Sequence, residues 1–256
     1  MSLKKQLLLG VAVGALMAGA PALAADMALK APPPPQAPVY NWTGWYVGGN
    51  IGYSWGNADA NYTDPGLLFG LTSFPGSMGL DGVVGGGQAG YNWQANNNWV
   101  FGLEADIQAS GEDGSRNYSS DCEGPGRPAC PQSQSAKIDW FGTVRGSAGV
   151  LVNPTLLVYA TGGLAYGRVS LAGSVSSPFG AWGYSGSAVN TGWTVGGGLR
   201  GLIPSTTQWY WRVEYLYLDL GSNSGTGSDP IFASVFSWNA KFTDNIVRLG
   251  IDYQFR

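Results

Sequence analysis

The strongest constraint on how this chain can fold is an alternation of apolar and polar residues with a period of two. In residues 99–110 one face carries only apolar side chains, whereas Glu104 and Asp106 lie on the other face. The same pattern recurs in residues 245–255, where Arg248 falls on the polar face. Because successive side chains of a β-strand point to opposite faces, this period predicts strands. The chain is therefore expected to be all-β.

Eight segments carry the alternation, and one of them is ambiguous. They are residues 45–55, 83–93, 99–110, 138–150, 156–169, 193–200, 209–218 and 245–255. In 156–169 both faces contain apolar residues. Its outward face is predicted to carry Val158, Ala160, Leu164 and Tyr166. In 138–150 we expect Ile138 to face outward and Asp139 to face inward. An even number of strands, with eight as the smallest usual number, is typical of antiparallel barrels in bacterial outer membranes.

The composition indicates that one face of this sheet meets lipid. Charged residues make up 11% of the chain, against about 25% in soluble domains, whereas aromatic residues reach 13%. The aromatic residues collect at both ends of the segments, as they do in the interfacial girdles of membrane barrels. They are Trp45, Trp93, Trp99, Trp209 and Phe255 at one end, and Trp55, Trp140, Tyr166, Trp193 and Tyr217 at the other. The alternative is a soluble lipocalin-like barrel or a sandwich with its apolar face inward, which would leave these girdles unexplained.

The polar face carries nine charged residues that are predicted to line the barrel interior. They are Glu104, Asp106, Asp139, Arg145, Arg200, Arg212, Glu214, Arg248 and Asp252. Sliding the strands by one residue would move each arginine into lipid, which would cost about 2 to 4 kcal/mol for each arginine near the midplane. These groups could be catalytic, form a permeation path, or form structural ion pairs. An eight-stranded barrel is only wide enough for side chains to fill it, which favours the structural ion pairs.

The N-terminal residues have the features of a secretory signal. The basic pair Lys4 and Lys5 precedes an apolar run at 7–20, and residues 22–24 match the small-x-small cleavage rule. The expected parts of the chain are a signal peptide at 1–24, a proline-rich periplasmic tether at 25–41 and an outer-membrane barrel at 42–256. The net charge is −3 before cleavage removes the two lysines, and an acidic protein is a poor partner for nucleic acid.

The connections between the segments alternate in length. Short turns occupy residues 94–98, 151–155 and 203–207, and long Gly-, Ser- and Asn-rich connections occupy 56–82, 111–136, 171–190 and 221–241. This asymmetry predicts short periplasmic turns opposite long extracellular loops. Cys122 and Cys130 lie in one long connection and are predicted to form a disulfide, because an exported chain favours oxidation. Two thiolates without histidine would make an incomplete zinc site.

Short motifs match catalytic or cofactor-binding signatures, but they lack the other residues or the secondary structure that those functions need. Residues 52–56 match G-x-S-x-G, but a serine hydrolase needs a base and the chain has no histidine. Two G-x-G-x-x-G matches, at 85–90 and 196–201, open no helix within a βαβ unit. We interpret their glycines as making room in a narrow barrel for Gln88, Arg200 and neighbouring tyrosines. The chain is predicted not to be an enzyme and to hold no cofactor or metal.

Three segments resemble a known family. They are residues 41–53 (NWTGWYVGGNIGY), 160–167 (ATGGLAYG) and 247–255 (VRLGIDYQF). They resemble the small outer-membrane antigens of alpha-proteobacteria, sometimes called porin-like or hemin-binding, and the resemblance covers essentially the whole mature chain. One departure is Arg256, because the assembly signal of such barrels usually ends on the aromatic residue, here Phe255.

The resemblance implies an envelope protein that supports outer-membrane integrity and surface contacts. Its implied partners are outer-membrane lipids, lipopolysaccharide and the barrel-assembly machinery. Some relatives are attached to peptidoglycan through a mature N-terminus that begins Ala-Asp, and Ala25 with Asp26 would suit such an attachment. Two alternative functions stay open: a narrow porin for small solutes, and a surface receptor that binds hemin or another ligand through its loops.

Overall fold

The computed structural model describes residues 40–63, 74–96, 98–121, 129–177, 180–229 and 234–255. Contacts divide the chain into two units, Met1–Val39 and Tyr40–Arg256, and all the described residues belong to the second. The predicted signal peptide, and the predicted tether up to residue 39, lie outside the described residues.

The described chain forms antiparallel strands that close into one ring. They are β1 (Gly44–Thr63), β2 (Phe74–Ala95), β3 (Trp99–Asp121), β4 (Ala129–Asn153), β5 (Leu156–Ser177), β6 (Gly180–Leu202), β7 (Trp209–Asp229) and β8 (Ser234–Gln254). Each strand pairs with its neighbour in sequence, and β1 pairs with β8 to close the barrel. Within the described ranges, no helix has the length and apolar character needed to cross a membrane. The predicted eight-stranded antiparallel barrel is confirmed.

The half of the barrel that contains the start of β1 and the end of β8 presents an apolar surface. Leu164 is 68% exposed and Ile51 is 63% exposed, although both side chains are large and apolar. In the ambiguous fifth segment Val158, Ala160 and Leu164 are exposed, as predicted, whereas Tyr166, also predicted to face outward, is half-buried. Leu157 on the opposite face is buried. A continuous exposed apolar belt of this kind is the surface that a membrane barrel presents to lipid.

Aromatic rings frame this belt at both ends. At the inner end the rings of Trp45 and Tyr91 lie 5.2 Å apart, and at the outer end those of Trp193 and Tyr217 lie 5.4 Å apart. The membrane-spanning part of each strand is the stretch between these girdles, for example 45–55 in β1, 99–109 in β3 and 245–254 in β8. We call the strand residues beyond the outer girdle the outer extension.

The four long connections are mostly strand, which differs from the prediction of loops. Pairing of β1 with β2 extends to Tyr62 and Phe74, and pairing of β7 with β8 extends to Asp229 and Ser234. Ladders therefore run through most of the predicted loops at 56–82, 111–136, 171–190 and 221–241.

The polarity of the strand faces reverses in the outer extension. Ala58 and Ala60 are buried, whereas Asp59 and Asn61 between and beside them are exposed. Outside the membrane the outward face meets water, so apolar side chains must point inward to be removed from it. The inward residues form an apolar core that includes Ala58, Ala60, Met78, Leu80, Ala136, Ile138, Val169, Leu171, Leu218, Leu220, Ala240 and Phe242.

A β-bulge in β4 exchanges the predicted positions of Ile138 and Asp139. The register of β4 on β5 shifts between Ile138 and Trp140, so that Ile138 points into the apolar core. Asp139 lies outside the lumen, where its carboxylate accepts a hydrogen bond from Ser170 Oγ at 2.7 Å and contacts Lys137 Nζ at 3.6 Å. The prediction that Asp139 belongs to the interior charges is wrong, because an extra residue in the ladder moves neighbouring side chains to opposite faces.

Replacing Phe242 by alanine tests the apolar core of the outer extension. Phe242 is buried, so we expect Phe242→Ala to lower the unfolding free energy by about 3 to 5 kcal/mol. Asn239→Ala, at an exposed position of the same strand, should change it by about 0.5 kcal/mol or less. Both are measured by urea unfolding in lipid vesicles, followed by tryptophan fluorescence. Wild-type stability of Phe242→Ala would contradict the buried core.

Candidate functional site

Eight of the nine charged residues predicted for the interior meet inside the membrane-spanning part. They are Glu104, Asp106, Arg145, Arg200, Arg212, Glu214, Arg248 and Asp252, which we call the lumen charge cluster. They come from β3, β4, β6, β7 and β8, and each side chain is at most 7% exposed. Four guanidinium groups face four carboxylates, so the cluster is neutral as a whole.

Glu104 is the centre of this cluster, because all four arginines contact its carboxylate. Arg212 Nη1 lies 2.6 Å from Oε2, and Arg200 Nη2 lies 3.3 Å from the same oxygen. Arg145 Nη2 donates to Oε1, and Arg248 Nη2 lies 3.6 Å from it. Four cations around one carboxylate make this a network rather than a set of separate pairs.

The other three carboxylates each bridge two arginines. Glu214 lies 3.0 Å from Arg145 Nη1 and 2.6 Å from Arg248 Nη2. Asp106 contacts the same two arginines at 3.0 Å each. Asp252 lies 2.8 Å from Arg212 Nη2 and 3.4 Å from Arg200 Nε. Through these ion pairs, each carboxylate links at least two strands of the ring.

Neutral side chains that the sequence analysis did not single out complete the network. Tyr46 donates a hydrogen bond to Glu104 at 2.5 Å, and Tyr159 donates one to Glu214 at 2.9 Å. The guanidinium of Arg200 lies over the Tyr46 ring, 4.4 Å from its centroid. Both tyrosines lie on the inward face of their strands, beside the charged residues of neighbouring strands. This position in the sequence pattern could have identified them, because a phenol O–H is a suitable donor to a buried carboxylate.

Glycines leave room for the two tyrosines. A Cβ at Gly90 would lie 2.5 Å from Tyr46 Oη, and a Cβ at Gly198 would lie 2.9 Å from Tyr159 Oη. Both distances are too short for a real side chain. Each glycine belongs to one of the G-x-G-x-x-G matches, so at these positions the motif makes space in the lumen.

The N-terminal residues of the described chain fill the inner mouth of the barrel. Trp42 is fully buried, its ring stacks on Tyr210 at 5.0 Å, and its Nε1 donates to the Pro154 carbonyl at 3.2 Å. Tyr40, within the predicted tether at 25–41, donates a hydrogen bond to Gln254 at 2.8 Å. The lumen is thus filled in three layers: this aromatic plug, the lumen charge cluster and the apolar core of the outer extension.

A pair of carboxyl groups lies at the base of the outer extension, just beyond the outer girdle. Glu112 of β3 and Asp244 of β8 are buried, and among the described residues neither forms an ion pair with lysine or arginine. Ser110 Oγ donates to Glu112 at 3.0 Å, and Ser54 Oγ donates to Asp244. Burial raises the pKa of Glu112 to about 8, with a further contribution from Asp244, and burial raises the pKa of Asp244 to about 6. This pair was not predicted from the sequence.

Several predicted sites fall outside the described part of the chain. Cys122 is not described and only the backbone of Cys130 is, so the disulfide remains a prediction. The possible peptidoglycan attachment at Ala25 and Asp26 also lies outside the described residues. Within the described ranges, no group of three or more acidic or cysteine side chains is arranged to hold a metal ion.

Replacing Glu104 by glutamine tests the lumen charge cluster. Glu104→Gln keeps the shape of the side chain but leaves one arginine charge uncompensated. We expect it to lower the unfolding free energy by about 3 to 5 kcal/mol. In the double variant Glu104→Gln/Arg212→Met the cluster has no net charge again. We expect the double variant to lower the unfolding free energy by less than the sum of the two single variants, as a double-mutant cycle measures. Strictly additive losses would contradict direct pairing.

The buried carboxyl pair predicts a pH dependence of stability. The pKa values of both groups are higher in the folded state, so the folded chain binds protons more tightly than the unfolded chain. Stability should therefore fall as pH rises from about 3.8, the ordinary pKa of Asp244, to about 8, by at most about 1.4 kcal/mol per pH unit for each proton.

The variant Glu112→Gln should flatten this pH dependence, as urea unfolding at a series of pH values measures. Asp113→Asn, which alters the exposed acid next in sequence, is the matched control and should keep the wild-type slope. Equal slopes for Glu112→Gln and the wild type would show that Glu112 does not hold the extra proton.

Comparison with known proteins identifies the family. The chain resembles the crystal structure of the outer membrane protein OprG from Pseudomonas aeruginosa, with a TM-score of 0.48 and 10% identity over 85% of this chain and 98% of that one. The family model for the outer membrane protein beta-barrel domain matches residues 11–255. The 31 kDa outer-membrane immunogenic protein of Brucella melitensis is 35% identical over 94% of this chain and 96% of its own length. The 22 kDa outer membrane protein of Rhizobium leguminosarum bv. viciae is 30% identical over 86% of this chain and 82% of its own. By its family match and these relatives, the chain belongs to the outer-membrane β-barrel family and is an outer-membrane protein.

Proposed function

We propose that this protein is a non-conducting and non-catalytic structural barrel, which supports the outer membrane and carries a rigid extension for contacts outside the cell. The observation that supports this most is the filled lumen. Aromatic, charged and apolar layers follow one another along the barrel axis, and Trp42, Arg212 and Phe242, one from each layer, are at most 1% exposed.

The energetics of the lumen charge cluster favour a structural role over a permeation path. A path for water or ions would require at least one arginine to leave its carboxylates, and breaking a buried ion pair costs about 3 to 5 kcal/mol. Arg145 and Arg248 each contact three carboxylates, so moving either side chain disrupts several pairs at once. A ring of eight strands also leaves little space beyond that of its own side chains.

The same pairing favours a non-catalytic role. A carboxyl group acts as a general acid or base only when it can exchange a proton with a substrate. Glu104, Asp106, Glu214 and Asp252 are all buried and held by arginines. The chain also contains no histidine that could act as a base near neutral pH.

The proposed partners follow from the two surfaces of the barrel. The apolar belt suits contact with the acyl chains of outer-membrane lipids. The polar outward face of the outer extension suits contact with the polar part of lipopolysaccharide. Insertion of the strands would require the barrel-assembly machinery. At the opposite end, peptidoglycan is the proposed partner of the predicted tether, with Ala25 as the attached residue.

Conductance in planar bilayers tests whether the lumen is sealed. The purified barrel should give no discrete conductance steps, because the lumen charge cluster leaves no hydrated path. A general diffusion porin reconstituted in the same way serves as the positive control. Discrete steps that disappear when the barrel is denatured by heat would support a narrow porin and contradict the sealed lumen.

Digestion of the purified sacculus tests the proposed attachment to peptidoglycan. Mass spectrometry should find a peptide that begins at Ala25 joined to a muropeptide. The variant with Ala25 and Asp26 deleted provides the matched control for the assignment. Recovery of free mature N-termini alone would exclude the attachment and leave the sealed barrel unaffected.

A further inference from the structure

The outer extension is two separate sheets rather than a closed ring. Pairing of β2 with β3 stops at Asp81 and Asp113, and pairing of β6 with β7 stops at Trp193 and Asp219. Beyond these levels the paired strands are β7–β8–β1–β2 in one sheet and β3–β4–β5–β6 in the other. The apolar core packs between the two sheets, which leaves two seams where strand edges face each other unpaired.

The seam between β2 and β3 carries features that protect a strand edge. Pro75 lies in the free part of β2, where it removes one backbone donor. Arg116 of β3 reaches across the seam and donates from Nη1 to the carbonyl of Ser77 at 3.1 Å. Proline and a long charged side chain are the devices by which natural proteins discourage the addition of another strand.

The seam between β6 and β7 lacks both devices. Residues 180–192 of β6 contain neither proline nor a charged residue, and β5 is their paired neighbour on one side. Ser185, Gly186 and Ser187 are all exposed, as are Ser115, Arg116 and Asn117 of β3 at the other seam. The outward face of β6 is therefore accessible at this point.

Two features keep β7 from closing onto β6. The register of β7 on β8 shifts between Asp219 and Ser222, and Gly221 has a φ of 70°, so β7 changes course where the seam opens. Higher up, the Trp238 ring lies near both strands, 3.9 Å from a Cβ placed on Gly186 and 2.5 Å from one placed on Gly225. The open seam is thus built into the fold.

We propose that the free edge of β6 between residues 183 and 192 takes up an extended segment of a partner protein outside the cell, as an added β-strand. This inference rests on the proposed function in surface contacts and names the kind of partner. A row of unpaired main-chain N–H and C=O groups is complementary to another main chain. Because this edge carries no charge, the segment that it recognises is an uncharged, strand-forming peptide.

Hydrogen exchange of the whole barrel in lipid nanodiscs tests the free edge. In the free protein, the amides of residues 183–192 that point away from β5 should exchange faster than those of residues 133–138 in β4, which has paired neighbours on both sides. A short capped peptide of alternating threonine and valine should then slow exchange in residues 183–192. The same peptide N-methylated at alternate positions lacks the donors and should have no effect.

Lysine substitutions test whether the peptide binds at this edge or elsewhere on the barrel. Ser187→Lys should weaken binding of the threonine and valine peptide by about tenfold or more, because an edge lysine discourages strand addition. Ser135→Lys, at an exposed position of β4, should leave binding unchanged. Native migration of both variants on an unheated gel shows that they fold.

Three results would overturn the proposal. Residues 183–192 could exchange as slowly as those of β4 in the free protein, which would mean that the edge is paired. The peptide could protect the β2–β3 seam or no part of the barrel. Protection of β6 that rises with barrel concentration and without peptide would assign the edge to a second copy of this chain. None of these outcomes would alter the conductance result that tests the sealed barrel.

Discussion

The buried network of four arginines and four carboxylates determines which face of each strand meets lipid. Unpaired guanidinium groups would be costly in hydrocarbon, and here each one is held by carboxylates from other strands. Glu104 joins strands that lie far apart in the ring, because it contacts arginines of β4, β6, β7 and β8. The network therefore fixes the register of the barrel and occupies its lumen at the same time.

The same ring of strands is folded against two different solvents. Between the girdles lipid lies outside, so the apolar residues point outward and the polar residues pair within the lumen. Beyond the outer girdle water lies outside, and the apolar residues turn inward to form a core like that of a soluble sandwich. Glu112 and Asp244 lie at the boundary between these two regimes, where burial without a cation raises the pKa of both carboxyl groups. The change of solvent also explains why the ring can open into two sheets above the membrane.

The sequence alone predicts the membrane-spanning barrel because lipid imposes strict alternation there, as between Leu103 and Glu104. It does not reveal the outer extension, since some of the inward residues are as small as Ala58 and Ala60, and the neighbouring glycines and serines resemble loop composition. The bulge beside Asp139 is equally hidden, because nothing in the local residue pattern marks the extra residue in the ladder. Trp42 was assigned to the start of the barrel, but its place in the lumen depends on contacts with residues more than a hundred positions away.

Contact between lipid and methyl groups tests most directly whether hydrocarbon surrounds the outside of the membrane-spanning part. Ile246 and Leu249 are near in sequence on β8, but Leu249 is 57% exposed and Ile246 is 1% exposed. Methyl NMR of the barrel in nanodiscs that contain nitroxide-labelled lipid should show strong broadening of Leu249 and little broadening of Ile246. The opposite pattern, with Ile246 broadened and Leu249 unaffected, would mean that the apolar belt is not the lipid-facing surface.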